Sequence, residues 1–339
     1  MLLGTSVLLD VGMGDPAAAR LITPVVVLQT VARHLPFVGA AVPRLHGSTA
    51  AADAIVWQLR MPRALGGALV GALLAMAGVA FQSLLRNPLA DPYMVGVSSG
   101  SAVGSMVVIL LGGTGLFAGL AQPVAAFAAG IAAMMLVYRF ASVGGRIAVH
   151  SFLLAGVVVG TFLWSFVPLM VTLAQRAGDS GRGADVMSQL FGSLQFVDWR
   201  VVAILAPIGI LGGLALYASA RELNLLAVGE EAALHLGVNV ERLKRRIAVA
   251  GAVCTAAAVS AAGIIAFVGL VVPHICRKIS GPDHRRLIPL SAVGGATMLV
   301  LADWLSRVFL HELQIGVITS FVGAPLFCVL LKRGERSPL

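Results

Sequence analysis

The sequence predicts an all-α fold, a polytopic membrane helical bundle, and three observations support this prediction. Of the 339 residues, 58% are hydrophobic and 12% are charged, whereas about a quarter of the residues of a soluble domain are charged. The apolar residues form runs of about 20, the length of helix that crosses the hydrocarbon core of a bilayer. The charged residues lie between these runs, which are too long for the alternating strands of a membrane barrel.

Eight apolar runs follow residue 60, and the longest of them is predicted to form two helices. Gly263, Gly269 and Pro273 interrupt this run, which is long for a single span. Broken helices are tolerated in membranes where their backbone faces protein or a water-filled cavity. We therefore expect nine membrane helices after residue 60. The eight runs are 64–84, 94–111, 120–138, 152–174, 200–219, 247–275, 287–302 and 315–331.

The chain is expected to divide into an N-terminal part, 1–60, and a transmembrane domain, 61–339. The apolar stretch 1–11 is too short to span a bilayer, so we expect only part of a first helix there. Pro24 suits the first turn of an amphipathic helix that runs to about Leu35. We expect this second helix to lie on the outer membrane surface.

The basic residues predict the orientation of the bundle. If the loop that holds Arg60 and Arg63 is outside, alternation of the spans places most other loop lysines and arginines inside. This arrangement agrees with the positive-inside rule. The same bias accounts for the formal net charge of +9, so nucleic acid is not expected as a partner.

The sequence carries few signatures of chemistry, and no enzyme activity is predicted. It has no GxxxxGK[ST] segment that would hold the phosphates of ATP, and no HExxH helix. The three cysteines and the scattered histidines lack the spacing of a metal site, so neither a metal nor a cofactor is expected. The helix centres carry almost no ionisable residues, which disfavours a transporter driven by an ion gradient.

Four polar segments interrupt the apolar background, and together they resemble a known family. They are W-Q-L-R-M-P-R at 57–63, R-N-P-L-A-D-P at 86–92, L-N-L-L-A-V-G-E-E-A-A-L-H-L-G-V-N-V-E-R-L-K at 223–244, and F-V-G-L-V-V-P-H-I-C-R at 267–277 with G-P-D-H-R-R at 281–286. In this order and spacing they resemble the FecCD-type permeases of ABC importers for ferric siderophores, haem and cobalamin. The resemblance covers about residues 55–331.

The resemblance implies a transporter with several partners. It implies a homodimer with about ten membrane helices per subunit, in the inner membrane of a bacterium. It also implies two cytoplasmic ATPase subunits, which hydrolyse the ATP, and a periplasmic substrate-binding protein. The expected cargo is a metal chelate, with haem slightly favoured because an apolar path suits a flat macrocycle. A ferric siderophore and cobalamin stay open as alternatives.

The resemblance also implies a coupling loop at about 221–246, which the ATPase would grip. Within this loop, 230–236 should form a short helix that ends at Gly237 in a left-handed conformation. A plain solvated loop is the alternative. The expected contact residues are Glu230, Glu231, Ala232, Leu236, Gly237 and Val238.

Two further groups of residues are implied by the resemblance. Arg60, Arg63 and Arg307 match arginines that dock the binding protein, and simple anchoring at the membrane interface is the alternative for the first two. The translocation path and its inner gate are expected along the 152–174 helix and the turn before it. His150 is more simply a helix cap than a contact to the chelate. The path and gate residues are Val149, His150, Phe166, Pro168 and Met170.

Overall fold

The computed structural model describes Leu3, Ser6 and residues 24–34, 50–113, 119–143, 146–176, 180–310 and 313–334. Within these residues the chain is almost entirely helical. The exception is a pair of antiparallel strands of two residues each, β1 (Ser142–Val143) and β2 (Arg146–Ile147). The predicted all-α fold is confirmed.

The described helices alternate between long apolar rods and short connecting helices. A π-helix, Ile55–Arg60, precedes the third α-helix, and a 3₁₀ helix, Pro92–Val95, follows it. In chain order the α-helices are α1 (Pro24–His34), α2 (Ala50–Ala54), α3 (Met61–Leu84), α4 (Val97–Leu110), α5 (Ala121–Ala141), α6 (Val149–Arg176), α7 (Ser180–Phe191), α8 (Trp199–Ala218), α9 (Ala220–Val228), α10 (Glu230–His235), α11 (Val240–Ala262), α12 (Val268–Ser280), α13 (His284–Phe309) and α14 (Ile315–Gly334).

Six helical stretches in the described part of the chain are long and apolar enough to cross a membrane. They are the continuous stretch from α2 to α3 and the helices α5, α6, α8, α11 and α13. The apolar helix α4 and the apolar part of α14, Ile315–Val329, are shorter, and α12 has 13 residues. Each predicted membrane segment after residue 60 thus coincides with a described helix: α3, α4, α5, α6, α8, α11, α12, α13 or α14.

The N-terminal helix α1 has nearly the predicted bounds and is fixed to α2. The hydroxyl group of Thr30 and the guanidinium group of Arg33 donate to the Asp53 carboxylate, at 2.7 and 2.6 Å. The position of α1 on the membrane surface stays a prediction. The part-helix predicted at 1–11 lies almost wholly outside the described residues.

The longest apolar run divides as predicted, but at one of the three expected positions. The break lies at Gly263, after α11, whereas Gly269 and Pro273 lie inside α12. Proline has no N–H to donate to the carbonyl oxygen four residues earlier, which here belongs to Gly269. The side-chain amide of Gln82 donates to the carbonyl oxygens of Gly269 (3.4 Å) and Leu270 (3.2 Å) instead, so α12 continues through Pro273.

Tyr93, which directly follows the second polar segment, satisfies backbone groups in this break. The hydroxyl group of Tyr93 donates to the carbonyl oxygen of Ile265 (2.6 Å) and accepts from its N–H (2.9 Å). Asp91 begins the 3₁₀ helix by accepting the N–H of Tyr93 at 2.8 Å, and burial raises the pKa of this carboxyl group to about 6. The 3₁₀ helix Pro92–Val95 and the break between α11 and α12 therefore stabilise each other through Tyr93.

The first polar segment adopts a π-helix immediately before Pro62. In a regular α-helix the proline ring would clash with the carbonyl group four residues earlier, and a π-helix relieves this clash. Trp57 lies in this turn, stacks on His34 of α1 at 3.9 Å and contacts Trp199 of α8 at 4.8 Å. The π-helix thus joins the N-terminal helix to the main bundle.

Candidate functional site

The coupling segment, defined here as α9 and α10, lies at the end of the bundle where α3 ends and α13 begins. We name this the inner end, and the opposite one the outer end. Helix α10 is one residue shorter than predicted, and Leu236 is its C-cap. Gly237 follows with a φ of +84°, and its N–H donates to the carbonyl oxygen of Leu234 at 2.9 Å. The predicted left-handed end of this helix is confirmed.

The surface of α10 carries two exposed leucines. Leu234 is 58% exposed and the C-cap Leu236 is 66% exposed, while Ala233 is fully buried. Neighbouring exposed apolar side chains at a helix end are characteristic of a surface that a partner covers. Of the predicted contact residues, Glu231, Leu236 and Gly237 are exposed, Glu230 and Ala232 are half-buried, and Val238 is buried.

A buried lysine fixes α10 to the membrane helix that follows it. The ammonium group of Lys244 in α11 lies 2.8 Å from a carboxylate oxygen of Glu230 and 3.4 Å from one of Glu241. The lysine side chain is 3% exposed, so water competes little for these contacts. The first turn of α10 therefore cannot move far without moving α11.

The predicted gate and the coupling segment share one cleft at the inner end. The predicted gate residues Val149 and His150 lie in the first turn of α6, not in a turn before it, and His150 is exposed to the cleft. The short β1–β2 hairpin, which the sequence did not predict, precedes this turn. The structure thus brings together two groups that the sequence had assigned separately. The cleft is lined by Leu85, Arg86, Ala148, Val149, His150, Glu230 and Lys244.

At the outer end, two of the three predicted docking arginines bind one buried carboxylate. Arg63 in α3 donates through Nε and Nη2 to both oxygens of Asp303 in α13, at 2.8 to 3.1 Å. Arg307 donates through Nε to the same carboxylate at 3.1 Å. We name Arg63, Asp303 and Arg307 the outer cluster. Arg60 lies in the preceding π-helix and is 8% exposed.

Helix α6 presents a largely apolar surface, and the three predicted path residues occupy different positions on it. Pro168 is exposed, and the half-buried Phe166 makes an edge-to-face contact with Phe162 at 5.3 Å. Met170 packs instead against a buried cluster that includes Met106. Phe162, which is 61% exposed, presents more surface than any of the three.

The chain matches the FecCD transport family over residues 21–333. It belongs to this family. Its relatives include YvrB of Bacillus subtilis, an uncharacterised ABC transporter permease, which is 44% identical over 83% of this chain and 80% of its own length. The cobalamin import permease BtuC of Halobacterium salinarum is 43% identical over 87% of this chain and 78% of its own length. The hemin transport permease HmuU of Yersinia pestis is 36% identical over 83% of this chain and 85% of its own length.

A solved structure of a metal-chelate type ABC transporter in an inward-facing conformation is similar to this FecCD chain over nearly its whole length. The two superpose with a TM-score of 0.79 at 26% identity, over 98% of this chain and 96% of the other. This chain is therefore a multi-pass membrane permease of the FecCD family. The similarity to this family that the four polar segments indicated is confirmed.

Three residues of this FecCD permease carry structural roles that the sequence analysis did not assign. Asp303 binds the outer arginines, Lys244 holds the coupling segment, and Tyr93 satisfies the break before α12. Asp303 could have been singled out from the sequence, because it directly follows an apolar run and a carboxylate in such surroundings needs a partner. The other two lie among polar residues at segment ends, where neither residue type stands out.

Proposed function

We propose that this chain is the membrane-spanning subunit of an ABC importer that carries a metal chelate from the periplasm to the cytoplasm. The observation that carries the proposal is the coupling segment. A short helix with two exposed leucines is closed by Gly237 and bonded through Glu230 to a buried lysine. A rigid helix transmits a rigid-body displacement, whereas a flexible loop would absorb it. The alternative of a plain solvated loop does not account for this construction.

The assembly that we propose is a homodimer in the inner membrane of a bacterium. Two cytoplasmic ATPase subunits bind the coupling segments through Glu230, Glu231, Ala232, Leu236, Gly237 and Val238, and a periplasmic binding protein docks at Arg60, Arg63 and Arg307. The proposed transmembrane domain is 61–339, and the N-terminal part, 1–60, is proposed to supply a partial first helix and a helix on the outer surface. The membrane-crossing stretch that begins at Ala51 extends across this boundary. The exposed apolar surfaces of α5, α6 and α8 are available for lipid and for the second copy.

The proposed cargo is a large metal chelate with a flat macrocycle, and haem is the first candidate. Helix α6 carries no Asp, Glu, Lys or Arg before Arg176, and its exposed aromatic rings offer an apolar wall for such a ring system. Phe166, Pro168 and Met170 are the proposed path residues, with Val149 and His150 at the gate. Cobalamin is the second candidate, because a relative that imports it is 43% identical. A ferric siderophore fits this apolar surface of α6 less well.

The purified chain is expected to show no ATP hydrolysis of its own and to gain it in complex with its ATPase partner. The chain has no P-loop, so it lacks the groups that cradle ATP phosphates. Vesicles that hold the full transporter, with loaded binding protein outside and ATP inside, should accumulate the cargo. Haem, cobalamin and ferrichrome offered in parallel identify it. Hydrolysis by the chain alone, or uptake driven by an ion gradient without ATP, would overturn the proposal.

Replacing Arg60 with glutamate is expected to weaken docking of the binding protein about tenfold at low salt, because the charge that attracts the partner's carboxylates changes sign. Docking to the unaltered chain should weaken as salt rises. Arg139→Glu reverses a charge at the opposite end of the bundle. Since Arg139 is exposed and Arg60 is 8% exposed, unfolding of both variants is measured as well. Surface plasmon resonance with immobilised transporter measures both variants, and equal affinities would remove Arg60 from the docking surface.

A further inference from the structure

We propose that α3 and α13 act as one rigid unit that connects the docking surface at the outer end to the coupling segment at the inner end. His284 is the positioning residue that makes the inner connection. The inference rests on the proposed function, since it assigns a route to communication between the two partners of the importer. Three contacts carry it, one at each end of the helix pair and one near its centre.

The outer contact is the outer cluster. Arg63 lies in the first turn of α3, and Asp303 lies near the end of α13, so their paired hydrogen bonds join the two helices at this end. The two side chains are 14% and 1% exposed. A guanidinium group that makes two parallel bonds to a carboxylate fixes orientation as well as distance, and here little solvent competes.

The central contact is a close approach of the two backbones at Gly71 and Gly295. A side-chain carbon added to either glycine would collide with the carbonyl oxygen of the other. Ala75 lies beside Gly295, and Leu299 lies beside Gly71. Helices that approach this closely interlock through their backbones, because only glycine leaves the necessary space. Sliding of one helix along the other is therefore obstructed.

The inner contact joins three helices through one histidine ring. Nε2 of His284, the first residue of α13, lies 2.7 Å from the hydroxyl oxygen of Ser83 in α3. Its Nδ1 lies 2.7 Å from Oδ1 of Asn224 in α9. The backbone N–H of His284 donates to the same oxygen at 2.9 Å. The histidine is 5% exposed, so these partners take the place of water.

The hydrogen-bond network selects the tautomer of this ring. The side-chain amide of Asn224 donates to the Asp283 carboxylate at 2.7 Å, so its Oδ1 is an acceptor. Nδ1 of His284 must then carry a proton. The hydroxyl group of Ser83 lies 2.7 Å both from Nε2 and from the carbonyl oxygen of Val79, and its single proton can be donated to one of them at a time. A neutral imidazole bonds α9 through Nδ1, and it bonds α3 when Ser83 donates to Nε2. Through His284, the G-P-D-H-R-R segment thus connects the coupling segment to α3 and α13, a role that the proposed function does not assign to it.

The three contacts together make the helix pair a continuous connection through the membrane. A displacement of α9 moves His284 and, with it, the inner ends of α3 and α13. Because the pair is interlocked and joined at its far end, that displacement reaches Arg63 and Asp303. Coupling between binding sites is reciprocal, so docking outside should change the affinity for ATP by the factor by which bound ATP changes docking.

The test compares ATP hydrolysis by the assembled transporter in nanodiscs with and without the loaded binding protein. His284→Leu fills the space of the ring without its hydrogen bonds. We expect the stimulation by the binding protein to fall at least about fivefold. The affinity of docking without nucleotide should stay unchanged, while its response to bound ATP should be lost. Asn224→Ala is a milder variant of the same connection and should show the same loss. The double variant should lose no more than either single variant.

Two further variants separate a positioning role from a merely structural one. His284→Gln retains one donor and one acceptor and should recover part of the stimulation. Thr297→Val is the matched control, because Thr297 lies on α13 and its hydroxyl group bonds only the carbonyl oxygen of Val293 in its own helix at 2.9 Å. It should be stimulated like the unaltered transporter.

The outcomes distinguish this inference from the function on which it rests. If the unaltered complex is not stimulated by the binding protein, the proposed function and the inference fail together. If it is stimulated, and assembled His284→Leu or Asn224→Ala complexes are stimulated to the same degree, the connection through His284 is wrong while the function stands. Should His284→Leu fail to assemble, the result with Asn224→Ala decides.

Discussion

Replacing Ala233 with proline is expected to abolish transport while the membrane bundle still folds. The N–H of Ala233 donates to the carbonyl oxygen of Gly229 at 3.0 Å, and its side chain is fully buried. Proline removes this hydrogen bond and brings a ring into occupied space, at a cost of about 3 kcal/mol or more. A helix of six residues has no other turn to compensate. Uptake of cargo by reconstituted vesicles measures the loss.

Ala233→Gly is the matched control, because it retains the N–H and fits the same space. It costs about 1 kcal/mol in helix propensity and should retain most of the transport. Ala233→Pro should still insert in the membrane and bind the loaded binding protein, but hydrolysis by its ATPase partner should no longer respond to that protein. Transport by Ala233→Pro at the rate of the unaltered chain would mean that α10 is only a connection.

Helix α10 was predictable because its signals are local, whereas α9, the other helix of the coupling segment, was not predicted. Gly237 lies where a helix-closing glycine is expected, and the residues before it favour a helix, so bounds and conformation followed to within one residue. The side chains that hold the helix in place were not predictable. The ion pair between Glu230 and Lys244 spans 14 positions, and nothing in the pattern of the intervening residues indicates that it forms.

The interruption of the longest apolar run shows the same limit. Glycine and proline mark places where a membrane helix can break, and the break at Gly263 agrees with that expectation. Pro273 does not break its helix, because Gln82, almost two hundred positions earlier in the chain, donates to the carbonyl group of Gly269 that the proline leaves free, and also to that of Leu270. A local rule cannot include a partner from another helix.

The arginines predicted to dock the binding protein were identified from the sequence by their charge, but the side chains that surround them in the fold were not. The basic pair before α3 was visible as surface charge, and Arg63 was expected to be available to a partner protein. The structure shows it bound to Asp303, 240 positions away. The charge at this end is therefore organised by a buried carboxylate, and a contribution of Arg63 to docking would be made from within that cluster.

Replacing Asp303 with alanine is expected to destabilise the folded chain by about 3–5 kcal/mol, because it leaves two guanidinium groups facing each other without their shared carboxylate. The side chain of Asp303 is 1% exposed, and those of Arg63 and Arg307 are 14% and 8% exposed. Asp53→Ala is the matched control. It removes a more exposed carboxylate, 19% accessible and bound to Arg33, and should cost about 1 kcal/mol. Unfolding in mixed detergent micelles measures both.

A triple variant separates stability from docking at the outer cluster. Replacing a complete buried ion group with apolar residues of similar volume is often neutral for stability. Arg63→Met, Asp303→Leu and Arg307→Met together should therefore recover most of the free energy of unfolding that Asp303→Ala loses. The same protein should bind the periplasmic partner weakly, because two of its docking charges are gone. A triple variant as unstable as Asp303→Ala would show that the loss of the carboxylate shared by the two arginines is not the cause. Full docking affinity in a stable triple variant would show that Arg63 and Arg307 do not contribute to docking.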